Sequence, residues 1–198
     1  MKEILQSIEK TKQPIRFAYF DLGGVVFNFA GGLEQISKDL HIPVDEVRAF
    51  WKSHDDDICI GNLTPQDFWH ELVAHFRTGN RSVDFLAMWI EHFEPITSTH
   101  QAMKELQDNG VQLGLFTNIY PGVYEKALTK GVIPQLPYQA VIQSCEVGLV
   151  KPDIRIFNIA QQSTKFLPAE IIFVDDRKEN TDIASSLGWN VHLFQQFV

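Results

Sequence analysis

The chain has 198 residues, of which 44% are hydrophobic and 21% are charged. This composition is typical of a globular protein and excludes global disorder, and the length allows one domain with a small insertion. The formal net charge of −8 would repel a nucleic-acid backbone, so no nucleic-acid partner is expected. Because no apolar run reaches the ~20 residues of a membrane helix and the first residues include glutamates, we expect a soluble, cytoplasmic protein without a membrane partner.

Five short apolar segments have the length and the β-branched or aromatic content of strands. They cover residues 15–20, 111–116, 140–142, 171–174 and 190–194. Helical patterns lie between them, and two of these patterns end at Gly110 and Gly188, which suit helix C-termini. Strands that alternate with helices predict right-handed crossovers, and therefore an α/β fold with a parallel sheet covered by helices on both faces.

Residues 31–95 break this alternation, because they contain helix signals and no convincing strand. Pro43, Thr64 and Ser82 each come shortly before an amphipathic pattern, as residues at helix starts do. Such helices predict a small inserted bundle with its own aromatic core. Three tryptophans are expected in that core: Trp51, Trp69 and Trp89.

Polar side chains stand at or beyond the ends of the predicted strands. They are Asp21, Thr117, Asn118, Lys151, Asp175 and Asp176. A single aspartate there is often only a turn former, but ligands of doubly wound sheets bind at the carboxyl ends of the strands, where these residues can converge. Asp21 with Asp175 and Asp176 could hold Mg²⁺ through oxygen ligands. Thr117 and Lys151 could then bind phosphate oxygens.

These segments resemble, in order and spacing, the four motifs of the haloacid dehalogenase (HAD) superfamily. The matching segments are Phe20-Asp21-Leu22-Gly23-Gly24-Val25, Phe116-Thr117-Asn118, Lys151-Pro152 and Val174-Asp175-Asp176. A helical insertion directly after the first motif resembles the C1-type cap of subfamily I. The resemblance implies a HAD-like Rossmannoid three-layer fold, with a core of residues 1–29 and 96–198 and a helical cap domain of residues 30–95.

Within the superfamily the chain looks closest to bacterial sugar phosphatases of the α-D-glucose-1-phosphate phosphatase type, which share a turn like residues 61–64. The resemblance therefore implies a Mg²⁺-dependent phosphomonoester hydrolase that acts on a small phosphorylated metabolite, with a sugar phosphate as the expected substrate. The exact substrate and the oligomeric state stay open.

The resemblance also implies roles for the motif residues. Asp21 would attack phosphorus and become an aspartyl-phosphate, and Mg²⁺ would be held by Asp21, Asp176 and the Gly23 carbonyl. Asp175 would support Lys151 and the metal site.

Three groups of the later motifs would handle the phosphoryl group. Thr117 and the backbone amide of Asn118 would bind it, and Lys151 would neutralise the charge on it and on the nucleophile. A water molecule would then hydrolyse the intermediate.

The chain departs from the family pattern at Gly23, where most family phosphatases carry a second aspartate as the acid and base. General acid–base groups contribute ~10²–10⁴-fold. Its absence predicts a slow enzyme, a substrate with a good leaving group such as an anomeric sugar phosphate, or a substitute acid. Residues 54–57 (His-Asp-Asp-Asp) could supply that acid, although such a charge run is more often a solvated face.

Two other functions stay open on the sequence. A 2-haloacid dehalogenase needs no proton for its leaving group, but residues 53–61 offer acids where such an enzyme needs a cation for the substrate carboxylate. A non-catalytic phosphate-ligand sensor would fit the loss of the second aspartate. Closure of the cap is expected to use hinges near residues 28–32 and 94–97.

Overall fold

The computed structural model describes residues 2–79 and 83–195. In chain order, the main elements are α1 (Lys2–Glu9), β1 (Phe17–Phe20), β2 (Phe27–Asn28), α2 (Ala30–Leu40), α3 (Val44–Cys59), α4 (Pro65–His75), α5 (Phe85–Glu91), β3 (Glu94–Pro95), α6 (Thr97–Asp108), β4 (Gln112–Thr117), α7 (Val123–Lys130), β5 (Tyr138–Gln143), α8 (Ser144–Val147), α9 (Ile154–Gln162), β6 (Ile171–Asp175), α10 (Lys178–Ser186) and β7 (Asn190–Leu193). None of the described helices is both long and apolar enough to cross a membrane.

Five strands form a parallel sheet in the order β5-β4-β1-β6-β7. The central strand β1 pairs with β4 on one side and β6 on the other, with Phe17 opposite Gln112 and Ile171. All four residues of β1 are buried, as expected of a strand covered on both faces. The predicted α/β fold with a parallel sheet is confirmed.

The strand ends differ from the prediction by up to two residues. The clearest case is the third strand, predicted at residues 140–142, which runs from Tyr138 to Gln143. It lies at the edge of the sheet, where polar residues such as Gln139 can face solvent. A search for apolar runs therefore underestimates its length.

The two faces of the sheet carry separate apolar clusters, because successive side chains of a strand point to opposite sides. Phe17 and Tyr19 pack on one face with Trp189, whereas Ala18 and Phe20 join the cluster on the other. A Cβ atom on Gly114 would lie 2.6 Å from the Tyr19 ring. Because Gly114 on the neighbouring strand has no side chain, the Tyr19 ring has room to pack in the core.

The described residues of the inserted segment form four helices, α2 to α5, between the short strands β2 and β3. Strands β2 and β3 pair antiparallel, so the expectation of no strand within residues 31–95 was wrong for Glu94–Pro95. Two residues are too few to give a strand periodicity. The predicted helix start at Ser82 lies outside the described residues, and the side chain of Asp84 caps α5 by accepting the Ala87 N–H. The division into core and cap domains stays a prediction.

Candidate active site

The carboxyl ends of β1, β4 and β6 bring the predicted site residues to one cavity of about 250 Å³. Thr117 ends β4, Asp175 ends β6, and Asp21 directly follows β1. The polar residues predicted for this site that line the cavity are Asp21, Thr117, Asn118, Lys151 and Asp176, and Gly23 lines it as well. Asp175 is fully buried behind this wall.

Lys151 is the buried cation of the site. Its Nζ lies 2.7 Å from Asp175 and 3.1 Å from Asp21, and it donates to the Phe116 carbonyl at 2.8 Å. Burial alone would lower the pKa of Lys151, but the Asp175 and Asp21 carboxylates outweigh burial and raise it. Lys151 therefore stays charged and holds the nucleophile candidate in place.

The carboxylates outnumber this cation. Ligand oxygens of Asp21, Asp175 and Asp176 lie within 4.8 Å of one another. Burial raises the pKa of Asp21 to about 7 despite the opposing effect of Lys151, and burial followed by the Asp175 charge raises the pKa of Asp176. The excess of negative charge and the oxygen donors fit a divalent cation such as Mg²⁺.

Asp175 differs from the other two acids because both of its oxygens are already hydrogen-bonded. Oδ1 accepts from Arg177 N and Asn180 Nδ2, and Oδ2 accepts from Lys151 Nζ and Asn180 Nδ2. This arrangement of hydrogen bonds suits a carboxylate that holds Lys151 in place. The oxygens of Asp21 and Asp176 are better placed to bind a metal ion, because these residues line the cavity.

At both Gly23 and Gly24 a side chain would meet a neighbouring group, but the neighbouring group differs between the two positions. Gly24 has φ +80°, and a Cβ atom there would lie 2.4 Å from Asp176 Oδ2. A Cβ atom on Gly23 would lie 3.0 Å from Cε1 of Phe29. The ring of Phe29 therefore fills the space in which a side chain of residue 23 would begin.

The Asn118 side chain has a contact that the sequence did not predict. Its Oδ1 accepts from the Lys151 backbone N–H at 2.8 Å, and its Nδ2 donates to the Lys151 carbonyl at 3.0 Å. This pair of bonds fixes the backbone that carries the buried cation. The predicted role of the Asn118 backbone amide stays a prediction.

An aromatic wall completes the cavity, and sequence reasoning missed most of it. It consists of Phe27, Phe29, Trp51, Trp89, Phe93 and Tyr120. The helical periodicity predicts Trp51, Trp69 and Trp89 in the core of the cap. Trp69 and Trp89 are buried in one apolar cluster and Trp51 packs against it, but Trp51 and Trp89 also line this cavity. Tyr120 and Phe29 come from connecting segments, where no periodicity signals their direction.

The three consecutive aspartates of α3 lie on different faces of the helix. Asp55 lines the cavity, whereas Asp56 and Asp57 are exposed. Tyr120 donates its hydroxyl proton to Asp55 Oδ1 at 2.6 Å and accepts from Trp51 Nε1 at 2.5 Å. One of the three aspartates therefore belongs to the wall of the site.

The parallel sheet, with acids and a lysine at the carboxyl ends of its strands, defines a Rossmannoid α/β fold with a polar site at one edge of the sheet. The family model described as haloacid dehalogenase-like hydrolase matches residues 21–195. The chain belongs to this family.

Two curated relatives cover different shares of the chain. It is 25% identical over 174 residues to the sesquiterpene phosphatase astK of Aspergillus oryzae, covering 86% of this chain and 85% of that protein. It is 32% identical over 90 residues to mouse acyl-CoA dehydrogenase family member 10, which covers 44% of this chain but only 8% of that much longer protein.

A solved structure with a similar fold is a HAD family enzyme from Bacteroides thetaiotaomicron in complex with magnesium and inorganic phosphate. Its TM-score is 0.73 at 20% identity, and the match covers 90% of this chain and 93% of that chain. At this identity, the likeness concerns the fold.

Proposed function

We propose that the protein is a Mg²⁺-dependent phosphomonoester hydrolase that acts on a small phosphorylated metabolite. The observation that carries the proposal is the buried Lys151 between Asp21 and Asp175, at a cavity that Asp176 also lines. A cation beside a carboxylate nucleophile is what attack on an anionic phosphate requires. The magnesium and phosphate in the Bacteroides enzyme support the same reaction class.

In this proposal Asp21 attacks phosphorus and forms an aspartyl-phosphate. Thr117, the backbone amide of Asn118 and Lys151 bind the phosphoryl oxygens, and Asp175 holds Lys151 in place. Asp21, Asp176 and the Gly23 carbonyl would hold Mg²⁺, which when bound supplies positive charge against the phosphate dianion. Water then hydrolyses the intermediate and releases inorganic phosphate.

For the substrate, we propose a phosphate ester whose organic part presents apolar surface to the aromatic wall. That wall favours burial of apolar area, at about 25 cal/mol per Å². The similarity to a sesquiterpene phosphatase supports an apolar alcohol. The sugar phosphate predicted from the sequence, with glucose 1-phosphate as its example, is the competing substrate class.

The test is phosphate release from a panel of glucose 1-phosphate, glucose 6-phosphate and isoprenoid monophosphates, with Mg²⁺ or excess EDTA. We expect release that requires Mg²⁺ and that is lost in Asp21→Asn, because the amide is a poor nucleophile. A higher kcat/KM for the isoprenoid esters would support the apolar class, and a higher value for glucose 1-phosphate would support the sugar class. Release that persists in EDTA would contradict the mechanism.

The two alternative functions have less support from the site. A dehalogenase needs a cation for the substrate carboxylate, yet α3 presents Asp55 to the cavity, and Arg177 at the cavity is paired with Glu179. Chloride release from 2-chloropropionate would restore that alternative. A sensor would bind the metabolite without turnover, so multiple turnovers exclude it.

A further inference from the structure

Residue 23 cannot supply the proton for the leaving alcohol, because it is glycine. Phe29 stands where its side chain would begin, 3.0 Å from the position of a Cβ atom. A substitute must therefore reach the cavity from another element. Among the described residues that line the cavity, the carboxylates are Asp21, Asp55 and Asp176, and Asp21 and Asp176 already have roles as nucleophile and metal ligand.

We infer that Asp55 of α3 is the general acid and base of this site, which rests on the proposed phosphatase function. Asp55 lines the same cavity as Asp21 but belongs to the inserted helices. It therefore approaches the substrate from an element other than the strand that carries the nucleophile. An element on the far side of the cavity can place a donor on the leaving-group side of phosphorus, because the attacking and leaving oxygens lie roughly in line.

Hydrogen bonds from neighbouring groups fix the orientation of the Asp55 carboxyl group. Its Oδ1 accepts the Tyr120 hydroxyl at 2.6 Å and the Cys59 thiol at 3.8 Å. Both contacts use one oxygen, so within the described residues Oδ2 is the atom left to carry a proton. Trp51, which donates to the Tyr120 oxygen, fixes the phenol and through it the direction of the carboxyl group.

Burial favours the protonated form of this carboxyl. It raises the pKa of Asp55, as does the neighbouring Asp56, whereas the hydrogen bond from Tyr120 lowers it. Cys59 also lowers it through its hydrogen bond, and Arg177 through its charge. The net direction is upward, which keeps a transferable proton closer to neutral pH.

The steps balance in protons and electrons. As the bond from Asp21 oxygen to phosphorus forms, the bond to the alcohol oxygen breaks, its electron pair stays on that oxygen, and the Asp55 proton joins it. In the second step the Asp55 carboxylate takes a proton from water while the water oxygen binds phosphorus. The bond from phosphorus to Asp21 then breaks, which leaves inorganic phosphate and a protonated Asp55.

The experiment compares kcat/KM for three phosphate esters of similar size that each carry one aromatic ring and whose leaving groups differ in acidity: p-nitrophenyl, phenyl and benzyl phosphate. This parameter reports the steps up to alcohol departure. For Asp55→Asn we expect a fall of ~10²–10⁴-fold with benzyl phosphate, the usual contribution of a general acid. We expect little change with p-nitrophenyl phosphate, because nitrophenolate leaves without a proton.

Two further variants complete the design. Asp57→Asn is the matched control, since this exposed neighbour should leave all three values unchanged. Tyr120→Phe removes the hydrogen bond that positions Asp55, and it should give a smaller loss with the same order of substrates. It also tests the inference if Asp55→Asn folds poorly.

Three outcomes would overturn the inference. Equal losses with all three esters would make Asp55 a structural residue, and unchanged benzyl phosphate hydrolysis would exclude a proton-donor role. The absence of Mg²⁺-dependent release by the wild-type protein would overturn the proposed function itself, together with this inference.

Discussion

Lys151 lies between two carboxylates, and its side chain is almost fully buried. Removing one partner of a buried ionic cluster leaves uncompensated charge, which costs about 3–5 kcal/mol. Substitution of Lys151 would therefore damage stability together with the phosphate binding that we propose for it. A residue near the site that carries no charge is a more selective probe of the proposed metal site.

Gly24 is such a residue. We expect Gly24→Ala to weaken Mg²⁺ binding by about tenfold, an effect of about 1.4 kcal/mol, because its Cβ atom would lie 2.4 Å from Asp176 Oδ2. Titration calorimetry of the folded variant with Mg²⁺ measures the change.

The matched control is Gly110→Ala. Gly110 has φ +85°, close to the φ of Gly24, but a Cβ atom there meets nothing within 4 Å. It should show the same backbone strain with unchanged Mg²⁺ affinity. Equal Mg²⁺ affinity in both variants would contradict the proposed role of Asp176 as a metal ligand.

Helix α5 positions part of the cavity wall, since it carries Trp89. Its N-terminus is capped by Asp84, which also pairs with Lys126 of α7 at 3.4 Å. At its other end, Lys130 of α7 donates to the carbonyls of Ile90 and Glu91. Two lysines of α7 thus hold both ends of α5.

Asp84→Ala is expected to lower the free energy of unfolding at pH 7 by about 1 kcal/mol, the usual value of such a cap. The Ala87 N–H holds the pKa of Asp84 below its ordinary value, so the carboxylate stabilises the fold above the unfolded pKa of about 3.9. This stabilisation is lost as pH falls through the lower folded value. Urea unfolding at pH 7 and at pH 3 measures the difference between variant and wild type.

The difference should narrow at the acidic pH. Asp108→Ala is the control, because it removes only an exposed ion pair with Lys104, which is worth a few tenths of a kcal/mol. If the difference in the free energy of unfolding between Asp84→Ala and wild type were the same at both pH values, the Asp84 charge would not stabilise α5.

The sequence predicted those elements whose signal is local. The strands of the sheet are short apolar runs because both of their faces are buried, and the motif acids stand where these strands end. Helices α1, α2, α7 and α8 had no prediction of their own. The cavity wall escaped prediction because Phe29 and Tyr120 meet Trp51 across 22 and 69 positions of sequence, and only the assembled fold brings them together.

At the scale of the whole molecule, Ser144 at the start of α8 connects the inserted helices to the loop after β4. Its fully buried hydroxyl donates to the carbonyl of Cys59, the last residue of α3, at 2.6 Å and accepts the Ile119 N–H at 2.9 Å. Moving α3 away from the sheet would break the first of these bonds.

We expect Ser144→Ala to destabilise the protein by about 1–3 kcal/mol, because it leaves a buried N–H and a buried carbonyl without their partner. Chemical denaturation measures the change. Ser163→Ala is a suitable comparison, since Ser163 donates to the Ile159 carbonyl in an exposed position and its loss should cost less than about 0.5 kcal/mol. Equal stability of the two variants would mean that Ser144 does not fasten α3 to the core.

The pairing of β2 with β3 determines where the inserted helices could be replaced or removed by protein engineering. Asn28 and Glu94 are directly paired, as are Phe27 and Pro95, so the chain leaves for the inserted helices and returns from them at neighbouring points. Paired residues of antiparallel strands are only about 5 Å apart, a gap that a two-residue hairpin turn closes. The described inserted helices, α2 to α5, could therefore be exchanged or deleted together at this one point of the chain, without lengthening or shifting any strand of the parallel sheet.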